Sequence, residues 1–451
     1  MKKRYESPII TKNISGFSNK FGRANKLNII DNIDGIQVKD LLEKYGSPLF
    51  VFSEKTIRSR YRRYLQAFKK YYPKTRFAWS YKTNYLQTIA AIYHDEGSIA
   101  EVVSDFEYEK AKRLGIEPKN IIYNGPFKTD ESLKKALKEG AKVHIDHFDE
   151  LSAIERIARE LNIKPKVAIR INMDTGIAPQ WSRFGFNYDN EEALRAIKRI
   201  YTNKLLELNG LHTHIGTFIL SPDAYKNALK KLTDLYNKAV NEYGFNIEYI
   251  DLGGGFPSQN QLKAQYLPSS VIIPSIEQYA EKITQHLLEN FSTQDGPYLY
   301  FETGRALIDE AGYLLTTVHA TKRMPDTRRA IIIDAGVNLL FTAFFYDISV
   351  SATKEYNGSM ENSIIYGPLC MNIDVIRESI QLPYITPGDN LVLHPVGAYG
   401  VTQWMQFIQM RPSVVLISED KKIYEIRRAE TIDDVENAEI LPERYALLEE
   451  I

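Results

Sequence analysis

Phe77-Ala78-Trp79, Ile99-Ala100-Glu101-Val102-Val103, Ile121-Ile122-Tyr123 and Val143-His144-Ile145 open a series of short apolar runs. Val167-Ala168-Ile169-Arg170-Ile171, Gly210-Leu211-His212-Thr213, Tyr249-Ile250-Asp251-Leu252 and Tyr298-Leu299-Tyr300-Phe301 continue it. Longer segments such as Asp130 to Lys138 and Phe148 to Leu161 lie between the runs. Their apolar residues fall three and four apart, the spacing of a helix that buries one face. Strand then helix, repeated, predicts parallel pairing, because each crossover helix returns the chain to the same end of the sheet. Eight repeats in roughly 230 residues match a (β/α)₈ barrel, which takes ~250. A doubly wound open sheet is the competing arrangement.

The flanks read differently. Residues 1–46 are polar, with a candidate strand near Asn28-Ile29-Ile30, and are expected to join a second domain. The barrel is expected over 47–306 and an all-β domain over 307–451. Strands are expected at Tyr313 to His319, Arg329 to Asp334, Ser363 to Tyr366, Asn390 to His394, Ser413 to Ile417 and Lys422 to Ile426. Turn residues separate them. From Glu436 onward a helical tail is expected. The fold class is thus α/β, a TIM barrel plus a C-terminal all-β domain.

Composition narrows the functional classes. Hydrophobic residues make up 44% and charged residues 25% of the 451, which excludes a disordered or fibrous chain. Lys plus Arg and Asp plus Glu both total 57, so no overall basic field attracts nucleic acid or anionic lipid. The single cysteine, Cys370, excludes an internal disulfide framework and a Cys-rich zinc site, and no metal is expected. Met1 to Tyr5 is charged with no apolar segment behind it, so no secretory signal is visible. The most apolar stretch, Ile331 to Phe345, is interrupted by Asp334, Gly336 and Asn338 and is too short to span a bilayer. A cytoplasmic location is expected.

In a barrel, functional groups sit on the loops that follow the strands. Here those loops carry Lys82 (in Ser80-Tyr81-Lys82-Thr83-Asn84), His214 and Thr217, the triplet Gly253-Gly254-Gly255, and Glu302-Thr303-Gly304-Arg305. Each alone is weak: a lysine at a strand end is usually solvated, and a glycine run is usually a tight turn. Together they suit pyridoxal phosphate. A lysine can hold its aldehyde, a carboxylate can pair with the pyridine nitrogen, and glycine amides with an arginine can hold a phosphate. No Gly-Lys-Ser/Thr follows the glycines, which argues against a nucleotide P-loop.

On these motifs the chain resembles the fold-type III pyridoxal-phosphate decarboxylases, the group of diaminopimelate, ornithine and arginine decarboxylases. It is most similar to the diaminopimelate branch. The likeness runs from Gly46-Ser47-Pro48-Leu49-Phe50-Val51 to Thr431-Ile432-Asp433-Asp434. It implies that Lys82 holds the cofactor, that His214 stacks on its ring, and that Glu302 meets the pyridine nitrogen. It also implies that Thr217 (the family's serine), Gly253, Gly254, Gly255, Gly304 and Arg305 surround the phosphate. Gly367-Pro368-Leu369-Cys370 and Gly397-Ala398-Tyr399 resemble the β-domain motifs. By resemblance, Cys370 reaches the site of a second subunit in a homodimer with shared sites, and Tyr399 approaches the cofactor. His212 receives no role and is expected to face the barrel's side wall. The bland reading of Cys370 is a buried small hydrophobe.

The departures concern substrate. The family's glutamate after the cysteine is Met371 here, and its substrate-binding arginine aligns with Phe341. The second-strand aspartate is Glu101. Arg183, in Ser182-Arg183-Phe184-Gly185, is a further substrate-side candidate, or a brace for the rim. The expected activity is α-decarboxylation of an amino acid other than standard meso-diaminopimelate. The alternatives are true diaminopimelate decarboxylation, an amino-acid racemase, and a non-catalytic cofactor-binding homologue. Racemases usually present an arginine to the pyridine nitrogen, so Glu302 stands against that alternative. Joint retention of Lys82, Glu302, Arg305 and Cys370 stands against a non-catalytic role.

Overall fold

Runs rich in β-branched and aromatic residues become the eight strands of a closed parallel barrel. They are Thr75–Ser80, Ile99–Val102, Ile121–Tyr123, Lys142–Ile145, Lys166–Asn172, Glu207–His212, Tyr249–Asp251 and Tyr298–Thr303. Each pairs in parallel with its neighbours, and Phe301 opposite Phe77 closes the ring. The computed structural model describes residues 27–356, 359–442 and 444, so the charged start at Met1 lies outside the described residues. Among them, no helix is long and apolar enough to cross a membrane.

The crossover helices fall where their apolar spacing places them. Phe148–Leu161 starts at His147, whose side chain accepts the Glu150 amide, and ends at Asn162 in the left-handed conformation. Asp130–Glu139 starts at Thr129, which accepts the Ser132 amide, and ends at Gly140. Each satisfies end groups that would otherwise be orphaned.

The second domain is mostly sheet. Its long strand Gly312–Arg323 pairs antiparallel with Leu49–Ser53, Asn390–Leu393 and Arg329–Ile333. Val414–Ile417 runs parallel to Leu49–Ser53 and carries Ile423–Arg427 at its outer edge. Leu49–Ser53 therefore belongs to this sheet and not to the barrel. Helix Glu54–Lys69, which follows it, packs on the barrel through Tyr61, Tyr64 and Phe68. Ile29 bridges Ala352, and Ile33, Val38 and Leu41 pack against Val51, Leu315 and Val415. Strand Val375–Leu382, unforeseen in the sequence, pairs with Glu361–Tyr366. A short helix, Ile432–Glu436, is capped by Thr431 and Asp434; residues 437–442 after it are not helical, and most of the rest of the expected helical tail lies outside the described residues.

Inside the barrel, alternation sorts the side chains into layers. Ala78, Ile99, Ile122, Ala168, Tyr249 and Tyr300 form an apolar floor. Two residues further along their strands, Ser80, Glu101, Asn124, Arg170 and Glu302 line the cavity above. The fold thus places a polar cup on an apolar base.

Candidate active site

The cavity at the C-terminal end of the barrel measures about 350 Å³ and is walled by residues of several strand ends and by Tyr399 of the second domain. That volume suits a small organic ligand. Lys82 sits on the turn Tyr81–Thr83, directly after the first barrel strand. Its Nζ donates to both Glu101 oxygens at 2.7 Å and to Ser80 Oγ at 3.3 Å. Burial on its own would lower the pKa of this ammonium. The carboxylates of Glu101 and then Glu302 outweigh it and hold the pKa raised. Lys82 is therefore stored protonated, with a proton acceptor in contact.

Glu302, 5% exposed, is the penultimate residue of the eighth strand. Asn124 Nδ2 donates to its Oε1, His212 Nε2 lies 3.3 Å from Oε2, and His144 Nδ1 lies 3.9 Å from Oε1. Burial above all holds both imidazoles well below their ordinary pKa, so both are neutral. Asp251, fully buried below, is pushed well above the carboxylate range by burial and then by the Glu302 carboxylate. It keeps its proton beside Glu302. His214 is neutral for the same reason, its pKa lowered to about 3 by burial and next by Arg170. Its Nδ1 accepts the Gly254 amide at 3.0 Å, which places its own proton on Nε2.

The glycine loop is a matter of close approach. A Cβ on Gly254 would lie 2.3 Å from the Glu302 carbonyl oxygen, and one on Gly255 2.5 Å from that of Gly216. Any side chain would push the loop off the barrel rim. Gly304 is equally confined by Thr83. Beside them Arg305 is a cation without an anion. Among the described residues no carboxylate lies within ion-pair distance, its Nη1 is buried without a partner, and Tyr399, Tyr346 and Phe218 surround it at 4.9, 5.3 and 6.0 Å. A buried guanidinium left unpaired is costly unless a ligand anion completes it. Tyr399 is held against it in the left-handed conformation (φ 65°), its backbone N–H donating a hydrogen bond to the Thr83 carbonyl. Orphaned cation, glycine rim, lysine and buried carboxylate fit pyridoxal phosphate, with Thr217 also lining the cavity.

Comparison with known proteins agrees. Residues 54–309 match the family described as pyridoxal-dependent decarboxylase, pyridoxal binding domain. The chain belongs to the pyridoxal-dependent decarboxylases. Diaminopimelate decarboxylase of Methanocaldococcus jannaschii is 31% identical over 431 residues, covering 91% of this chain and 95% of that one. The Aquifex aeolicus enzyme of the same name is 30% identical, covering 89% and 93%. The crystal structure of the M. jannaschii diaminopimelate decarboxylase superposes with a TM-score of 0.84 at 30% identity, covering 93% of this chain and 98% of that one. The cofactor is pyridoxal phosphate, and the protein is a carboxy-lyase acting on an amino acid, in the diaminopimelate decarboxylase branch.

Of the residues singled out in the sequence, Lys82, His214, Thr217, Gly255, Glu302, Gly304, Arg305 and Tyr399 line the cavity, and Gly253 and Gly254 lie buried behind it. Cys370, Phe341, Met371 and Arg183 do not line it in this chain. Cys370 is exposed on the second domain, which corrects the buried alternative. Phe341 sits on the turn Phe341–Phe344, and Arg183 is exposed, 5.2 Å from the Phe184 ring. His212 is the second correction. It is 1% exposed, lines the cavity and faces Glu302. Leu211-His212-Thr213-His214 carried the signal, because residues two apart share one face of a strand. Glu101, Asn124 and Trp181 were also missed as cavity residues.

Proposed function

We propose that the substrate is an amino acid whose distal end is uncharged, aromatic or otherwise modified, and that two copies of the chain complete each site. The observation that carries the first part is the pair Met371 and Phe341, which stand where the family places counter-charges for a zwitterionic distal end. The cavity's apolar lining supports it. Trp181, Phe184, Val103 and Phe256 are part of that lining, and Trp181 stands edge-on to His214 at 5.4 Å. Arg170, which also lines it, faces Asp146 at 3.6 Å and the Phe184 ring at 4.5 Å. A distal ammonium and carboxylate would be desolvated there without partners.

Bound in the cup, pyridoxal phosphate supplies an electron sink for the pair left at Cα when CO₂ departs. The residues divide the remaining work. Lys82 Nζ would hold the aldehyde carbon, and Glu101, in contact with Nζ, is placed to accept its proton. Arg305, Thr217 and the glycine loop would hold the phosphate. Neutral His214 would stack on the ring without adding charge to it, and Glu302 would meet the pyridine nitrogen. Cys370, exposed on the second domain, would reach a second copy's site and supply a proton to Cα, with Tyr399 at the cavity wall.

Decarboxylation of meso-diaminopimelate itself is the second reading. It is favoured by the names of the relatives and by the M. jannaschii enzyme's structure in complex with L-lysine. A CO₂-release screen over diaminopimelate, lysine, ornithine, arginine, glutamate and larger conjugates separates the two. Sharing of sites has its own test. Mixing inactive Lys82→Ala and Cys370→Ala chains is expected to restore about a quarter of wild-type activity, since half of randomly formed two-fold dimers are hybrids with one intact site. Proven subunit exchange without recovery would mean that each site is built from one chain.

A further inference from the structure

We propose that Tyr249 and His144 form a donor chain across the barrel floor that fixes which nitrogen of His144 carries the proton and aims that N–H at Glu302. The chain rests on the reading of Glu302 as the partner of the pyridine nitrogen. Tyr249 Oη is buried, and among the described residues its hydrogen bond is to His144 Nε2 at 3.0 Å. A phenol proton buried without an acceptor is unfavourable, so the hydroxyl donates and Nε2 accepts. The neutral ring then carries its proton on Nδ1, which has no other partner and lies 3.9 Å from Glu302 Oε1.

The placement is built, not incidental. A Cβ on Gly210 would lie 2.3 Å from the Tyr249 ring, so only glycine on the sixth strand leaves room for it. Tyr300 stacks on the ring's other neighbourhood at 4.9 Å and 21°, which fixes the direction of the hydroxyl. Glu302 thus accepts from Asn124 and faces the uncharged rings of His212 at 3.3 Å and His144 at 3.9 Å, while the Lys82 ammonium is held by Glu101. Neutral donors stabilise a carboxylate without cancelling its charge. The full negative charge stays available to the pyridine nitrogen. His144, His212 and Glu302 also bring three possible metal-ligating atoms within 4.8 Å. A metal would need the Nδ1 lone pair, which would leave the Tyr249 proton without an acceptor.

The test is the ¹⁵N NMR signal of the pyridine nitrogen in holoenzyme loaded with ¹⁵N-labelled pyridoxal phosphate, read beside steady-state kinetics. Glu302→Gln should move the signal to the unprotonated position. Tyr249→Phe, which keeps the ring packing, should move it the same way and lower kcat about tenfold, one pKa unit's worth, with KM within about twofold. His144→Leu should do likewise. His144→Gln, whose amide can accept from Tyr249 and donate toward Glu302, should return signal and kcat toward wild type. A wild-type signal in Tyr249→Phe and His144→Leu while Glu302→Gln moves it would overturn the donor chain alone. An unmoved signal in Glu302→Gln would overturn the reading of Glu302 and the chain with it.

Discussion

Lys82→Ala should lower CO₂ release from the preferred substrate by at least about 10³-fold, the scale seen when a covalent participant is deleted. Borohydride reduction of the wild-type holoenzyme should leave the phosphopyridoxyl group on the peptide containing Lys82. The expectation follows from position. Lys82 is the cavity's lysine, it follows the first barrel strand, and its Nζ is held by Glu101 rather than by solvent. The raised pKa makes it a poor nucleophile until that proton leaves. Recovery of the label on another lysine would show that the site has been assigned to the wrong residue.

Glu302→Gln should lower kcat by about 10²- to 10³-fold with little change in KM, the range for losing one preorganised electrostatic group. The substitution preserves shape and a carbonyl that Asn124 can still reach, but removes the charge that three strands converge to hold. Asp251 does not substitute for it, because burial, the larger cause of its raised pKa, remains when the Glu302 charge is gone. A near-wild-type kcat in this variant would place the pyridine nitrogen elsewhere.

Much of this was legible in the sequence, for identifiable reasons. All eight barrel strands were visible because each is a short apolar run set off by helical spacing, and the loops that follow them brought Lys82, His214, the glycines and Glu302 to one rim. Leu49–Ser53 was harder to place. Its pairing partners, Gly312–Arg323 and Val414–Ile417, lie far along the chain, and no local pattern announces them. Val375–Leu382 was hidden because Arg377 and Glu378 break the alternation of an edge strand exposed on one side. Glu101 looked like no more than the counterpart of the family's second-strand aspartate, and Asn124 like an ordinary strand-end polar residue. Only the closure of the barrel turns them inward toward Lys82 and Glu302. Tyr249 and His144 looked like core residues of separate strands, and the hydrogen bond between them depends on the space left by Gly210.

The proposed substrate preference rests on Met371 and Phe341, which stand where the family places counter-charges for a diaminopimelate tail. An unpaired buried charge costs several kcal/mol, where about 1.4 kcal/mol is already tenfold. The neighbours Asn372 and Arg183 are both exposed. The decisive measurement is the steady-state kcat/KM for meso-diaminopimelate in the cofactor-loaded enzyme. A value well below the ordinary enzyme range, with faster CO₂ release from a substrate bearing an uncharged or modified distal group, is the predicted result. A value of ~10⁴ M⁻¹s⁻¹ or more would contradict it.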